Sequence, residues 1–297
     1  MSRVERIEGF PAGISAVLTL RGQAGEGASA GSFASFNLAT HVGDDPAAVG
    51  KNRAIITEAL SAQPVWLTQV HGTQVVTIDH RHPPLQRPTQ PAQAAQAFGP
   101  GKKNIILDPN RAPEADASLT RRSHLACAIL VADCLPVLAA REDGGLVGAA
   151  HAGWRGLSNG VVLRLLDAMR ENDPGAAALG LRVWLGPCIG PSAFEVGPEV
   201  EAAFVQSPAF LGVEATAFFR PSRGKGDRRL ADLSGLARAQ CLAWSNRTGI
   251  PLTGIMQDGR CTVTEPDRFY SYRRDGQTGR FAALIWRNPE DSGRESI

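Results

Sequence analysis

Residues 125–156 read LACAILVADCLPVLAAREDGGLVGAAHAGWRG, and the architecture can be worked out from this stretch. It contains three short apolar runs, LACAILV, LPVLAA and LVGAA, and REDGG separates the last two as a turn. Short apolar runs bounded by turn residues are typical of strands buried in a core. The stretch therefore predicts three buried strands, and Cys134 and His151 stand at strand ends.

The flanking sequence adds both strands and helices. Apolar spacing predicts a strand at 14–20, a helix at 47–60, two strands within 64–79 that break at His71-Gly72, and a helix that ends near 172–175. Further along, it predicts a strand at 181–185, a loop at 186–191, a helix at 232–248 capped by Asp232 and a last strand at 281–286. This mixture predicts an α/β or α+β domain.

One segment does not fit the pattern of packed elements. Residues 81–113 are rich in proline, alanine and glutamine and lack apolar periodicity. We therefore predict a single catalytic domain over residues 1–297, with a surface insertion at 81–113.

Composition excludes several classes of protein. The 31 Lys and Arg residues nearly balance the 29 Asp and Glu residues, so the formal charge of +2 argues against nucleic acid as a partner. No apolar run approaches the roughly 20 residues of a membrane span, and MSRVERIEGF does not resemble a secretory signal. An odd number of cysteines, five, favours reduced thiols. The prediction is a cytoplasmic protein that does not enter membranes.

Three segments carry side chains suited to chemistry. Gln69-Val70-His71-Gly72 places an imidazole at a break between strands, and Ala132-Asp133-Cys134 brings a carboxylate and a thiol out of an apolar run. His151-Ala152-Gly153-Trp154-Arg155-Gly156 joins a strand to a helix. Each segment alone also has an ordinary structural explanation, because histidines at loops are often solvated and free cysteines usually pack in cores.

Taken together, the three segments predict a metal site. His71, Cys134 and His151 offer two imidazoles and a thiolate, a ligand set suited to zinc, and three protein ligands leave a fourth tetrahedral position open. An open position is typical of a catalytic site rather than a structural one. The ligands are far apart in the sequence, so their spacing does not establish that they converge.

Several motifs resemble one known family. They are SFNL at 35–38, HVGD at 41–44, QVHG at 69–72, ADCLPV at 132–137, HAGWRG at 151–156, GPCIGP at 186–191 and FYSYRRDGQTGR at 269–280. The sequence resembles the YfiH-type family, formerly described as multicopper polyphenol oxidases or laccase-domain proteins and now as purine nucleoside phosphorylases. The resemblance spans nearly the whole chain, and a basic segment at 222–229 and the segment 81–113 stand out as additions.

The resemblance implies a fold and an activity. The fold is a layered α/β/β/α sandwich, similar to that of a bacterial toxin deamidase that uses cysteine and histidine. The activity is zinc-dependent phosphorolysis of adenosine, inosine and methylthioadenosine, with adenosine deamination as a second reaction. The family's zinc ligands match His71, Cys134 and His151. The expected partners are therefore purine nucleosides and phosphate, bound by a monomer or a homodimer.

Other candidate residues come from position and chemistry. Zinc lowers the pKa of its bound water and can thereby supply the hydroxide that deamination requires. Deamination also needs a proton shuttle, for which Asp133 is the nearest candidate in the sequence and Glu195 a second one. Arginine suits phosphate, and Arg155 is the first candidate because it lies in the histidine loop, followed by Arg53 and Arg273. Asn37 is a candidate for the ribose hydroxyls.

Three rival functions differ in chemistry. A metal-free cysteine hydrolase would use Cys134 as nucleophile and His151 as its base. A copper oxidase of the laccase type needs more histidines than the six in this chain provide. A binding protein without activity would not require an intact ligand set with an open position.

Overall fold

The computed structural model describes residues 3–23, 25–79, 112–173, 175, 178–223 and 226–289. Its strands are β1 (Val4–Arg6), β2 (Ile14–Thr19), β3 (Gln63–Val65), β4 (Val75–Thr77), β5 (Ala117–Thr120), β6 (Leu125–Val131), β7 (Leu135–Arg141), β8 (Val147–Ala152), β9 (Leu181–Leu185), β10 (Glu195–Val196), β11 (Phe219–Pro221), β12 (Arg229–Ala231), β13 (Leu252–Gln257) and β14 (Phe281–Arg287). Its helices are α1 (Pro46–Ala59), α2 (Trp154–Ser158), α3 (Val161–Asn172), α4 (Pro198–Val205), α5 (Leu233–Thr248) and α6 (Tyr272–Asp275).

The three apolar runs form β6, β7 and β8, as predicted, but they enter two different sheets. β6 belongs to a five-stranded sheet of order β1-β2-β14-β6-β3, while β7 and β8 pair at the centre of a six-stranded sheet of order β13-β9-β7-β8-β5-β4. The link Ala132-Asp133-Cys134 therefore crosses from one sheet to the other. A small third sheet, β10-β12-β11, lies outside both.

The two large sheets pack face to face and helices cover their outer faces. One buried cluster lies between the sheets and includes Ile129 of β6, Leu138 of β7 and Ile285 of β14. A second cluster packs α3 and α5 against the six-stranded sheet, and a third packs Ile56 of α1 against the five-stranded sheet. This arrangement confirms the predicted α/β/β/α sandwich.

Burial on both faces explains why the central runs lack polar residues. Cys127, Ile129 and Val131 of β6 lie in the cluster between the sheets, whereas Ala126 and Ala128 lie in the cluster beneath α1. Strands covered on both sides typically read as nearly continuous apolar runs. Composition therefore identified β6, β7 and β8 without any alternating pattern.

Local signals placed the helix ends well. The Asp232 carboxylate accepts a hydrogen bond from the Gly235 amide at 2.8 Å, as an N-cap does, and Gly249 ends α5 in the left-handed conformation with φ of 71°. The break predicted at His71-Gly72 is also present, between β3 and β4.

Other elements were not predicted. The strand β5, the helix α4 and the small sheet were missed, since β5 reads ASLT and has no apolar alternation. All four β5 residues are nevertheless buried. The insertion at 81–113 lies outside the described residues except for its last two positions, and the single-domain organisation stays a prediction. No helix in the described ranges is both long and apolar enough to cross a membrane.

The layer between the sheets provides a test of the fold. Ile129 is fully buried there. Replacing it by alanine should lower the free energy of unfolding by about 2–5 kcal/mol, because a cavity forms between two rigid sheets. The control is Val205→Ala, since Val205 is 53% exposed and its loss should change stability by about 0.5 kcal/mol or less. Urea unfolding measures both values, and equal effects would contradict the proposed layering.

Candidate metal centre

Cys134 is positioned by the crossing between the sheets. Asp133, immediately before it, has φ of 88°, a left-handed conformation that side chains other than glycine rarely adopt. This sharp turn ends β6 and starts β7 within three residues. The thiol therefore lies immediately before β7, at one end of the central strands of the six-stranded sheet, where it is partly buried.

His151 reaches the same end of the sheet because β7 and β8 are antiparallel. Pro136 pairs with His151 and Leu135 pairs with Ala152, so the start of β7 lies beside the end of β8. The His151 side chain is buried, with 3% exposure. Its Nδ1 lies 2.8 Å from Oδ1 of Asp116, which leaves Nε2 free to face the site.

The loop that carries His71 is held by two side chains, Gln69 of the loop itself and Asp116, which lies just before β5. The Gln69 amide exchanges two hydrogen bonds of 2.8 Å with the backbone N–H and C=O of Leu130, and so fixes the loop to β6. His71 itself has φ of 59°, again left-handed. The amides of Val70, His71 and Gly72 donate to the Asp116 carboxylate at 3.2, 2.9 and 2.7 Å.

Asp116 therefore organises two of the three predicted ligands at once. It is completely buried, lies just before β5, and accepts from three consecutive amides and from the His151 ring. Burial alone would raise the pKa of Asp116, but the hydrogen bonds from His151 and Gly72 outweigh it and lower that pKa below its ordinary value. The carboxylate stays ionised and fixes the His151 tautomer.

The three predicted ligands converge. One ligand atom from each of His71, Cys134 and His151 lies within 4.8 Å of the others, and the Cys134 Sγ lies 3.8 Å from Nε2 of His71. The two imidazole rings are 4.7 Å apart and nearly perpendicular, at 74°. Within the described residues, no other group of three His, Cys, Asp or Glu side chains is so arranged.

Electrostatics favour a thiolate at Cys134. Burial opposes its ionisation, but the adjacent His151 and His71 outweigh that effect and lower the pKa of Cys134. Burial likewise opposes protonation of His151, yet the charges of Cys134 and Asp116 raise the pKa of His151. In contrast, burial raises the pKa of Cys127 and of Cys241 to about 12. Cys134 is therefore the thiol suited to bind a cation or attack a substrate.

The site fits a metal ion in its donors and its shape. Two imidazole nitrogens and a thiolate are ligands that zinc accepts in catalytic sites. Gly153 lies directly behind them, and a Cβ at this position would come within 2.9 Å of both the Cys134 Sγ and the His71 Cδ2. Only a residue without a side chain lets these two ligands approach each other here.

A cleft of about 320 Å³ opens in front of the three ligands. Its wall includes the aromatic rings of Phe194 and Tyr272, and Tyr272 is 63% exposed. The complete lining is His41, Gln69, His71, Leu130, Val131, Ala132, Asp133, Cys134, His151, Ile189, Phe194, Tyr272, Arg273 and Arg280. The cleft thus combines a metal-binding face, aromatic rings and cationic groups.

Two of the other candidate residues from the sequence line this cleft. Asp133 lines it, but its Oδ1 accepts from the Thr262 hydroxyl at 2.6 Å and its Oδ2 from the Arg273 amide at 2.7 Å. These contacts give it a positioning role. Arg273 also lines the cleft, and its Nη1 donates to the Glu195 carbonyl at 2.8 Å.

The remaining candidates lie outside the lining. Arg155 is exposed and stacks on Trp154 at 4.3 Å, and Arg53 donates to the Leu38 carbonyl at 2.8 Å. Glu195 accepts from the Ser222 hydroxyl at 2.5 Å. Roles for these side chains in phosphate binding or proton transfer stay predictions.

Asn37 is fully buried and its amide is occupied. Nδ2 donates to the Ala39 carbonyl at 3.0 Å and to Asp44 at 2.8 Å, while Oδ1 accepts from the Ala39 and Arg280 amides at 3.0 and 2.8 Å. An amide side chain has two N–H donors and one acceptor oxygen with two lone pairs. All of these are in use inside the protein, and ribose binding by Asn37 stays a prediction.

Sequence reasoning missed Asp116, His41 and Arg280 as site residues. Asp116 had a signal, because it directly precedes the small and uncharged run ASLT, and a carboxylate that is buried beside such a run must find a hydrogen-bond donor. His41 and Arg280 lie inside two of the motifs that carried the family resemblance. Nothing in their spacing indicated that those two motifs meet at the cleft.

Comparisons with known proteins identify the family. A family described as multi-copper polyphenol oxidoreductase laccase matches residues 16–288. A purine nucleoside phosphorylase from Pseudomonas aeruginosa is 41% identical over 276 residues, covering 93% of this chain and 94% of the relative. The purine nucleoside phosphorylase YfiH of Escherichia coli is 38% identical over 262 residues, covering 88% and 89%. The chain belongs to this YfiH-type, laccase-domain family.

Solved structures agree with that assignment. A Neisseria meningitidis protein of known crystal structure has a TM-score of 0.76 and 36% identity, covering 97% of this chain and all of that one. YlmD from Geobacillus stearothermophilus has a TM-score of 0.72 and 30% identity, covering 94% and 93%. The fold expected from the family resemblance is therefore the fold of its structural relatives.

Asp116 provides the first test of the centre. In Asp116→Asn only one carbonyl oxygen remains for four donors, so part of the loop at 70–72 or the His151 ring loses its partner. Zinc affinity should fall by about 10–100-fold with the fold retained, as measured by competition with a chromophoric chelator. The control is Asp79→Asn, because the Asp79 carboxylate accepts from Thr120 and Arg121 away from the centre. Equal zinc affinities in the two variants would refute this role.

Gly153 provides a second test that depends on space alone. Its backbone, with φ of −66° and ψ of 161°, is allowed for any residue, so Gly153→Ala should fold. The added methyl group should nevertheless separate Cys134 from His71 and abolish stoichiometric zinc binding. Metal analysis of the purified variant measures this. The control is Gly50→Ala in α1, where a Cβ meets nothing within 4 Å, and full zinc content in both variants would contradict the geometry.

Proposed function

We propose that this protein is a zinc-dependent purine nucleoside phosphorylase that splits adenosine, inosine and methylthioadenosine with phosphate and also deaminates adenosine. One observation carries the proposal: His71, Cys134 and His151 converge at a cleft in a chain that is 41% identical to a relative named purine nucleoside phosphorylase. The same cleft is lined by the aromatic ring of Tyr272 and by the guanidinium groups of Arg273 and Arg280.

Zinc is favoured over copper by the donor set. A laccase needs several copper ions, whereas the described residues provide one group of three ligands. Zinc held by His71, Cys134 and His151 would supply Lewis-acid chemistry at its open position. The thiolate ligand also favours a reducing compartment, so we propose the cytoplasm as the location.

The protein's own residues position the reactants. The exposed ring of Tyr272 lines the cleft and could stack on a purine base, while the largely buried ring of Phe194 lies beneath the Arg273 guanidinium in the same lining. Asp133 holds the Arg273 amide and the Thr262 hydroxyl, so it fixes the N-terminus of α6 and with it Tyr272. The metal face and the aromatic face thus belong to one hydrogen-bonded unit.

A second candidate function is a metal-free cysteine hydrolase or deamidase. The observation that favours it is the chain of contacts from Cys134 through His151 to Asp116, which has the order of a nucleophile, a base and a carboxylate that orients the base. The lowered pKa of Cys134 also suits a nucleophile. Metal dependence separates the two functions, because His71 is a ligand in the first and is not needed in the second.

Removal of the metal and substitution of His71 distinguish the zinc-dependent phosphorylase from the metal-free hydrolase. For the phosphorylase we expect chelation to abolish activity and added zinc to restore it, and His71→Ala to lose metal and activity together. The control is His124→Ala, since His124 is exposed and lies outside the cleft. For the hydrolase, chelation should do nothing and a thiol-directed substrate analogue should form an adduct on Cys134.

The products identify the reaction. Chromatography of incubations with adenosine, inosine or methylthioadenosine should show free base and a pentose 1-phosphate only when phosphate is present. Adenosine without phosphate should yield inosine if the deaminase activity exists. Full turnover by protein shown to be free of metal would sink the zinc mechanism and leave the thiol and its base as the site.

A further inference from the structure

The guanidinium of Arg280 is an unusual member of the cleft lining. It is partly buried at the start of β14, and its Nη1 donates to the backbone carbonyls of Thr278 and Gly279, both at 2.9 Å. An arginine has five N–H donors, so the edge formed by Nε and Nη2 keeps three of them. In the described part of the chain, no carboxylate lies within ion-pair distance of this guanidinium.

Other arginines of the same region are neutralised. Arg274 forms an ion pair with Asp275 at 2.7 Å, and Arg260 forms one with Asp258 at 2.6 Å. Burial lowers the pKa of Arg280, so this charge is costly where it stands. The acidic groups that most favour this charge are Cys134 and Asp133 of the same lining. Neither forms an ion pair with it, since Asp133 accepts from Thr262 and Arg273 and Cys134 lies beside His71. A guanidinium kept in a cleft without a carboxylate in direct contact indicates that an anion from solution can supply the missing partner.

The position of Arg280 is fixed before any ligand binds. Its amide donates to Oδ1 of Asn37 at 2.8 Å, and its carbonyl accepts from the Leu38 amide at 3.1 Å. Gly279 lies so close to Tyr270 that a Cβ there would be 2.7 Å from the phenol ring. The buried amide of Asn37 thus serves to hold Arg280, and a guanidinium fixed in advance loses little entropy on binding.

A second cation lies in the same lining. Arg273 has no carboxylate partner within the described residues; its Nη1 donates to the Glu195 carbonyl, and its guanidinium lies over the Phe194 ring at 5.6 Å. Burial is the main reason why the pKa of His41 is lowered, and the charge of Arg280 is the second reason. His41 lines the cleft as well. Asp133 is the carboxylate of this lining, and both of its oxygens already accept hydrogen bonds.

We propose that Arg280, with Arg273 as a second contact, binds the inorganic phosphate that attacks the nucleoside. The unused edge of Arg280 matches two oxygens of a tetrahedral oxyanion, which arginine binds bidentately. This assignment rests on the proposed phosphorylase function. Arg280 is preferred to Arg155 and Arg53 because it lines the cleft and, among the described residues, has no carboxylate in ion-pair contact, whereas Arg155 and Arg53 lie outside the lining.

The reaction balances with this assignment. One oxygen of hydrogen phosphate forms a bond to C1′ of the nucleoside, and the bond from C1′ to the purine nitrogen breaks. The electron pair of the broken bond leaves with the purine, which takes the proton that hydrogen phosphate gives up. Arg280 keeps its proton throughout and offsets the charge of the attacking oxygens.

Titration of zinc-loaded, full-length protein with inorganic phosphate alone tests the proposal directly. Calorimetry should show phosphate binding about tenfold or more weaker in Arg280→Gln, while Arg280→Lys, which keeps the charge, should recover part of the affinity. The charge control is Arg164→Gln, because Arg164 is exposed on α3 outside the cleft. Thermal unfolding and zinc content show that each variant is folded and loaded.

Steady-state kinetics complete the test. Arg280→Gln should raise KM for phosphate about tenfold or more and leave KM for inosine within about twofold. A rise in KM for inosine with phosphate binding unchanged would overturn the proposal and place Arg280 at the purine or the ribose. If no nucleoside is cleaved at all, the proposed function fails, but the phosphate titration still decides whether Arg280 binds the anion.

Discussion

The site depends on one buried carboxylate. Asp116 accepts hydrogen bonds from the amides of Val70, His71 and Gly72 and from the ring of His151, so a loop and a strand of different sequence regions become one rigid unit. The cost of burying its charge is offset by four donors, two on each oxygen. Asp116 is a direct link between the His71 loop and His151 of β8, whereas Gln69 attaches the same loop to β6 of the other sheet.

The same region holds two residues in unfavourable backbone conformations. His71 and Asp133 are left-handed although neither is glycine, and each such residue typically costs about 1–3 kcal/mol. Hydrogen bonds compensate at both places: Asp116 binds the amide of His71, while Asp133 is held through its side chain by Thr262 and Arg273. The packing of two sheets against each other allows this strain, because β6 must end and β7 begin in the other sheet within three residues.

The cleft combines two kinds of chemistry. Its lining includes soft and nitrogen donors that suit a metal cation, and guanidinium groups that suit an oxyanion. Aromatic rings lie in the same lining. The contacts among Cys134, His151 and Asp116 are compatible with Cys134 as a metal ligand and with Cys134 as a nucleophile. The carboxylate that orients a metal-binding histidine would also orient a catalytic base. The cationic wall is harder to explain in a cysteine hydrolase, which has no need of an anionic second substrate.

The sequence by itself determined the apolar strands β6, β7 and β8, the ends of two helices and the identities of three potential ligands. Strands covered on both faces usually read as nearly continuous apolar runs, caps need particular residues, and few residue types can bind zinc, so local composition carries this information. Tertiary structure decided everything that depends on distance in space. It brought His71, Cys134 and His151 to one end of the sheet, gave Asp116 its four donors and placed Arg280 in the cleft while leaving Arg155 on Trp154. These relations arise from strand order and sheet packing, which no local pattern of residues encodes.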